Sequence, residues 1–141
     1  MCIRDRVLGP ESVLPDAMKR PADLSTVCIL RNPVVESARL TEAMAAGAEK
    51  FGSKVKILAP TAGPQACSFV VAYTVEARGN AVHTIVFQTF ENSIPRMEAR
   101  GTAGEGAAAL TFDTVAEYMT EILRRTAKRI EKDFPDAVPA R

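Results

Sequence analysis

Two adjacent runs with strand patterning constrain this chain more than anything else in it. Phe69, Val71, Tyr73 and Val75 share one face of the first run. Val82, Val86 and Phe90 share one face of the second, opposite Ile85 and Phe87. Between them, Arg78-Gly79-Asn80 has the residue types of a tight turn, so a β-hairpin is expected here. Both faces of the second run are fairly apolar. That strand is therefore expected to be covered on each side, by a helix or by a neighbouring subunit.

Helical patterning flanks the hairpin. Leu40, Met44, Ala48, Phe51, Val55 and Leu58 recur at steps of four, four, three, four and three, which is one face of a helix. Pro33 suits the entry to that helix and Pro60 its stop. The favoured reading is one uninterrupted rod from Glu36 to Leu58, although Gly47 and Gly52 each cost a helix about 1 kcal/mol relative to Ala. The rival reading ends the helix at Gly52 and makes Lys54–Leu58 a strand, since Val55 and Ile57 alternate with lysines. Thr26–Leu30 is a short apolar run, either a strand or the start of the helical region. Phe112, Val115, Met119, Ile122, Leu123, Ile130 and Phe134 form a second stripe, closed by Pro135, with Thr114 and Glu117 spaced as a capping box. Residues 92–109, with Pro95 and several glycines, are expected to form a long loop, functional or mobile.

The expected fold class is α+β: a long N-terminal helix packed on an antiparallel β-hairpin or sheet, with an amphipathic C-terminal helix. A chain of 141 residues suits one such domain, expected over 26–134, with a poorly ordered lead-in over 1–25 and a tail over 135–141. Residues 1–6 read as a translated sequencing adapter, and Met18 as the start. The net charge of +1 gives no global attraction to nucleic acid or membrane. No apolar run is long enough to cross a bilayer, and the N-terminus lacks a secretory core, so no membrane partner is expected.

Nothing in the chain assembles a recognisable reaction centre. His83 has no diagnostic nucleophile or carboxylate beside it in sequence and reads as a structural or surface residue. Cys2, Cys28 and Cys67 are odd in number and offer no CxxC pair, so neither a zinc site nor a disulfide is expected, and the default setting is a reduced cytoplasm. Cys28 and Cys67 lie among apolar residues, which suits buried packing better than nucleophilic work. Ser37 and Thr41 after Arg31-Asn32-Pro33 could open a phosphate loop, but ordinary capping by Ser37 explains the residues without one. No catalytic, cofactor or metal-ligating set is expected. Arg124, Arg125, Lys128, Arg129 and Lys132 make the last helix basic toward its C-terminal end. That pattern fits a solvated face complementing the helix dipole, with a subunit contact or a weak contact with DNA phosphates as the alternatives.

Ala59-Pro60-Thr61-Ala62-Gly63 after the first helix, and Glu98-Ala99-Arg100-Gly101-Thr102 before the last, resemble motifs of tailed-bacteriophage tail-completion (minor tail, neck) proteins. The resemblance spans about residues 30–132. It implies a structural subunit of the virion that joins head to tail as a homo-oligomeric ring. Its neighbours would be neck or tail-tube proteins. It would be made in the host cytoplasm and carry neither cofactor nor catalytic residues. Glu98, Arg100, Gly101 and Thr102 would then belong to an assembly loop. Should Gly52 break the first helix instead, residues 26–58 become a βαβ unit similar to the opening of flavodoxin-like flavin reductases, whose further parallel strands and helices the rest of this chain lacks; a small unrelated binding module is the other alternative.

Overall fold

The computed structural model describes residues 20–34, 38–79, 81–104 and 109–135. The expectations for residues 1–6, Met18, Glu36, Ser37 and Asn80 fall outside them. Strand β1 (Thr26–Leu30) leads to helix α1 (Ala38–Phe51) and strand β2 (Lys54–Leu58). A 3₁₀ turn (Pro64–Ala66) precedes strands β3 (Phe69–Arg78), β4 (Ala81–Glu91) and β5 (Ile94–Thr102), and helix α2 (Phe112–Asp133) closes the fold. The five strands form one mixed sheet in the order β2-β1-β3-β4-β5. The fold class is α+β, as the patterning indicates.

The single rod does not exist. Helix α1 ends at Phe51 because Gly52 takes φ +116°, in the left-handed region where a side chain would be strained. The Ser53 amide donates to the Ala48 carbonyl at 3.0 Å and the Gly52 amide to that of Glu49 at 3.0 Å, which is the Schellman pattern. Ser53 Oγ then donates to the Leu24 carbonyl at 2.6 Å, and the Lys54 amide to that of Ser25 at 2.8 Å. These bonds start β2 alongside β1 in parallel register, Val27 beside Val55 and Ile29 beside Ile57. Residues 26–58 are a βαβ unit.

The hairpin forms as the alternation requires, with Phe69 opposite Glu91 and Tyr73 opposite Phe87, and Gly79 in its turn at φ +62°. The expected loop over 92–109 is a second correction. Its first half is β5, paired antiparallel to β4 with Gln88 opposite Glu98 and Ile85 opposite Gly101. Pro95 lies near the start of this strand, and no described strand pairs with its outer side, an edge position where proline is tolerated.

Both helices lie on one face of the sheet. Val27, Ile29, Phe69, Val71, Tyr73, Ile85 and Phe87 point into a core shared with Met44, Ala48, Val115, Met119 and Leu123. Ala22 is buried in the same cluster, so the packed chain reaches back before Thr26. The α2 stripe is the one the sequence shows, but its cap differs. Thr111 is the N-cap, accepting from the Thr114 amide at 3.1 Å, and Thr114 is a first-turn residue rather than the cap. The two helices meet without a side chain between them at Gly47. A methyl group there would collide with the Ala116 carbonyl oxygen and come within 2.8 Å of Met119 Cβ. Thr120 Oγ1 closes the contact by donating to the Gly47 carbonyl at 2.8 Å.

The opposite face holds a smaller cluster of Cys28, Leu58 and Val70, packed with Leu30, Ala62, Cys67 and Phe90. It exists because β2 and β3 are both parallel to β1 and flank it. The chain from Ala59 to Ser68 must therefore return across β1 to start β3, and it does so on the face away from the helices. Cys67, at the end of this crossover, is bonded to Cys28 in the middle of β1. The expectation of free, reduced cysteines is thus overturned. The two sulfurs come together because the crossover passes over β1, a proximity that no local spacing encodes.

Candidate interaction surfaces

Most residues singled out from sequence occupy three places: the exposed side of α2, the outer strand β5, and the ends of the parallel strands; Thr41 lies in α1 and His83 on β4. On α2, Arg124 and Arg125 both pair with Glu121, the latter at 3.0 Å. Hydrogen bonding to Arg125 is the largest of the effects that hold the Glu121 carboxyl below its ordinary range. Arg129 pairs with Glu91 at the end of β4 and lies 3.7 Å from Asp133. Among the described residues only Lys128 and Lys132 of the basic set pair with no carboxylate. Most of the positive charge at this helix end is therefore answered within the chain, which weakens its reach toward phosphates.

The Glu91–Arg129 pair is the one partly buried ion pair described, and it ties β4 to α2. Burial is the main effect on Glu91 and pushes its carboxyl up from its ordinary value; Arg129, and less so Arg96, pull it back down. A carboxyl with a raised folded pKa favours the folded state when protonated. Stability is lost as the pH rises from its unfolded value through its folded one. Replacing Arg129 by Met removes the main opposing charge and raises that pKa further. R129M is expected to lose about 2–4 kcal/mol at neutral pH, through an unpaired buried carboxylate, and progressively less as Glu91 protonates under acid conditions. Urea unfolding of both proteins across a pH series measures this. A penalty independent of pH contradicts it.

Glu98, Arg100, Gly101 and Thr102 lie on β5. Arg100 pairs with Glu76 of β3 at 3.0 Å, both side chains well exposed, so the bond adds little stability. Gly101 is buried beneath the Tyr118 ring, where an added methyl would come within 2.5 Å of Cδ2, and Tyr118 Oη donates to the Thr102 carbonyl at 2.9 Å. Gly101 and Thr102 therefore serve α2 docking, while Glu98 is exposed and pairs with no described cation.

Two large hydrophobic side chains stand in solvent among the described residues, Val34 at 88% and Ile57 at 43% exposure. Ile57 is near the end of β2, and Val34 lies in the turn after β1. That turn is built on Asn32, whose Nδ2 donates to the Tyr73 carbonyl at 2.9 Å while its Oδ1 accepts from the Val34 amide at 2.9 Å. Asn32 is thus committed to shaping the backbone. Thr41 Oγ1 donates to the Ala38 carbonyl at 2.9 Å, inside its own helix. Beyond the βαβ unit, β4 and β5 add antiparallel strands and α2 is the one further helix, so a doubly wound flavin-binding arrangement is not formed by the described residues. His83 is half-buried with Nδ1 3.2 Å from Thr84 Oγ1. Among the described residues no group of three or more His, Cys, Asp or Glu could hold a metal ion. No helix among them is long and apolar enough to cross a membrane.

The signals that sequence reasoning passed over are the two sheet edges. β2 carries Lys54, Val55, Lys56 and Ile57 on one side of the sheet, and β5 carries Met97, Glu98, Ala99 and Arg100 on the other. Lysine alternating with β-branched residues marks an edge strand.

No known protein family and no curated protein matches this chain. Solved structures do. A PelC variant from Paraburkholderia phytofirmans, described as a dodecamer, is 18% identical with a TM-score of 0.50, covering 76% of this chain and 90% of that one. A minor lipoprotein from Acinetobacter baumannii is 14% identical with a TM-score of 0.39, covering 77% of this chain and 96% of that one. The chain thus resembles the PelC subunit in fold.

Proposed function

We propose that this chain is a non-catalytic building block that works as a homo-oligomer and folds where disulfides form. The carrying observation is the fold shared with a subunit of a dodecamer over 90% of that subunit's length. Two features of this chain agree with it. Asn32, Thr41, Ser53 and Thr120 spend their side chains on turns and helix contacts, and the sheet keeps two edges without described strand partners. The Cys28–Cys67 bond points to an oxidising compartment, since structural disulfides persist there and are rare in the reduced cytoplasm.

A place in a phage neck is a narrower form of the same proposal. It rests on the Ala59-Pro60 and Gly101-Thr102 resemblance, now located after a strand and at the end of one rather than around a long helix. A disulfide-bearing subunit suits assembly outside the cytoplasm better. Size-exclusion chromatography with light scattering on the oxidised protein tests the broader reading: a particle of several chains supports it, and a single chain at every concentration removes it.

A further inference from the structure

We infer that β2 of one copy pairs with β5 of the next, head to tail, so that the sheet continues from subunit to subunit; this rests on the assembly reading above. The first ground is strand sense. β2 and β3 both run parallel to β1, β4 runs opposite to β3, and β5 opposite to β4. The two edge strands therefore run the same way. Rotation about an axis along the strands lays β5 of one subunit against β2 of its neighbour as parallel strands, with the helix-covered face kept on the same side. Repeated with a rotation that divides a full turn, that heterologous contact closes into a ring.

The second ground is what the edges present. On the face away from the helices β2 carries Lys54 and Lys56, both exposed and paired with no described carboxylate. On that face of β5, Arg100 is taken up by Glu76, which leaves the Glu98 carboxylate as the free charge. On the helix-covered face β2 presents Val55 and the 43% exposed Ile57, and β5 presents Met97 and Ala99 at the margin of the core. One parallel register satisfies both faces. Lys56 beside Glu98 sets Val55 beside Met97 and Ile57 beside Ala99, so opposite charges meet on one side and apolar groups on the other. The same register sets Lys54 level with Arg96, a like-charge contact that offsets part of the gain.

Lysines on an outer strand commonly serve only to keep it from pairing. Here they act selectively. Two β2 edges brought together would face lysine with lysine, whereas the Glu98 edge answers them, so the repulsion that blocks the symmetric dimer favours the head-to-tail contact.

Charge exchange tests the pairing with the full oxidised chain. K56E and E98K each change an exposed side chain. Each is expected to raise the concentration at which the oligomer dissociates roughly tenfold in sedimentation velocity, and the K56E/E98K double variant to return it to within roughly threefold of the wild type. Recovery in the double variant also shows that neither substitution harms folding. If the wild type assembles and both single variants assemble equally well, the edge pairing is wrong while the homo-oligomer stands. A wild type that stays a single chain overturns both.

Discussion

Replacing Cys67 with Ser, or reducing the Cys28–Cys67 bond, is expected to lower the stability of the folded chain by about 2–4 kcal/mol. The bond closes a loop with a sequence separation of 39. Constraint of the unfolded chain over a loop of that length accounts for about 4 kcal/mol at room temperature, less any structure the reduced chain retains. Domains of this size have only about 5–15 kcal/mol in total, so the bond is a large share of the margin. The effect is also local. Between β2 and β3 the crossover holds one 3₁₀ turn and buries little beyond Ala62, so the Cys67 sulfur is its main anchor to β1. Urea unfolding with and without reductant measures the loss, and hydrogen exchange should show Ala59 to Ser68 losing protection first. Equal midpoints for the oxidised and reduced proteins would mean that the staple is dispensable.

Gly47→Val is expected to be the most damaging single substitution in the helical layer, costing about 2–4 kcal/mol. Replacing a helical glycine by valine ordinarily gains about 0.3–0.5 kcal/mol of propensity. That gain is overwhelmed because the space for a side chain is occupied by the Ala116 carbonyl and Met119 Cβ, both fixed to the backbone of α2. The helices must move apart, and the buried hydrogen bond from Thr120 to the Gly47 carbonyl goes with them. Gly104→Ala is the control: among the described residues nothing lies within 4 Å of its added methyl, and its φ is not in the left-handed region. Thermal unfolding of the two variants should separate them by roughly 8–16 degrees if about 2–4 kcal/mol is lost in one and little in the other. Near-equal midpoints would contradict the close helix contact.

The sequence makes the hairpin legible because both of its strands alternate over many residues and a turn triplet joins them. The α2 stripe is legible for the same reason in the helical period. The first helix is misread because Val55 and Leu58 continue its spacing while Val55 and Ile57 also alternate, and a five-residue segment satisfies both periods. Gly52 decides between them through its φ of +116°, the helix-ending role that the rival reading gives it. Gly47, read the same way, does the opposite job and lets two helices touch. β5 hides as a strand because its outer edge needs no apolar face: Pro95, Arg96, Glu98 and Arg100 are what an exposed edge tolerates. The disulfide is invisible because its partners meet only once the crossover has been folded over β1. The basic residues of α2 are visible, but the acidic partners that absorb three of the five charges lie one turn away or across the fold, on Glu121 and Glu91.

Native mass spectrometry of the oxidised protein over a concentration series reads the assembly claim directly. The prediction is a discrete particle whose mass is a fixed multiple of the 15.2 kDa chain, with every chain carrying its disulfide. A spectrum holding only the single-chain mass at all concentrations would contradict it.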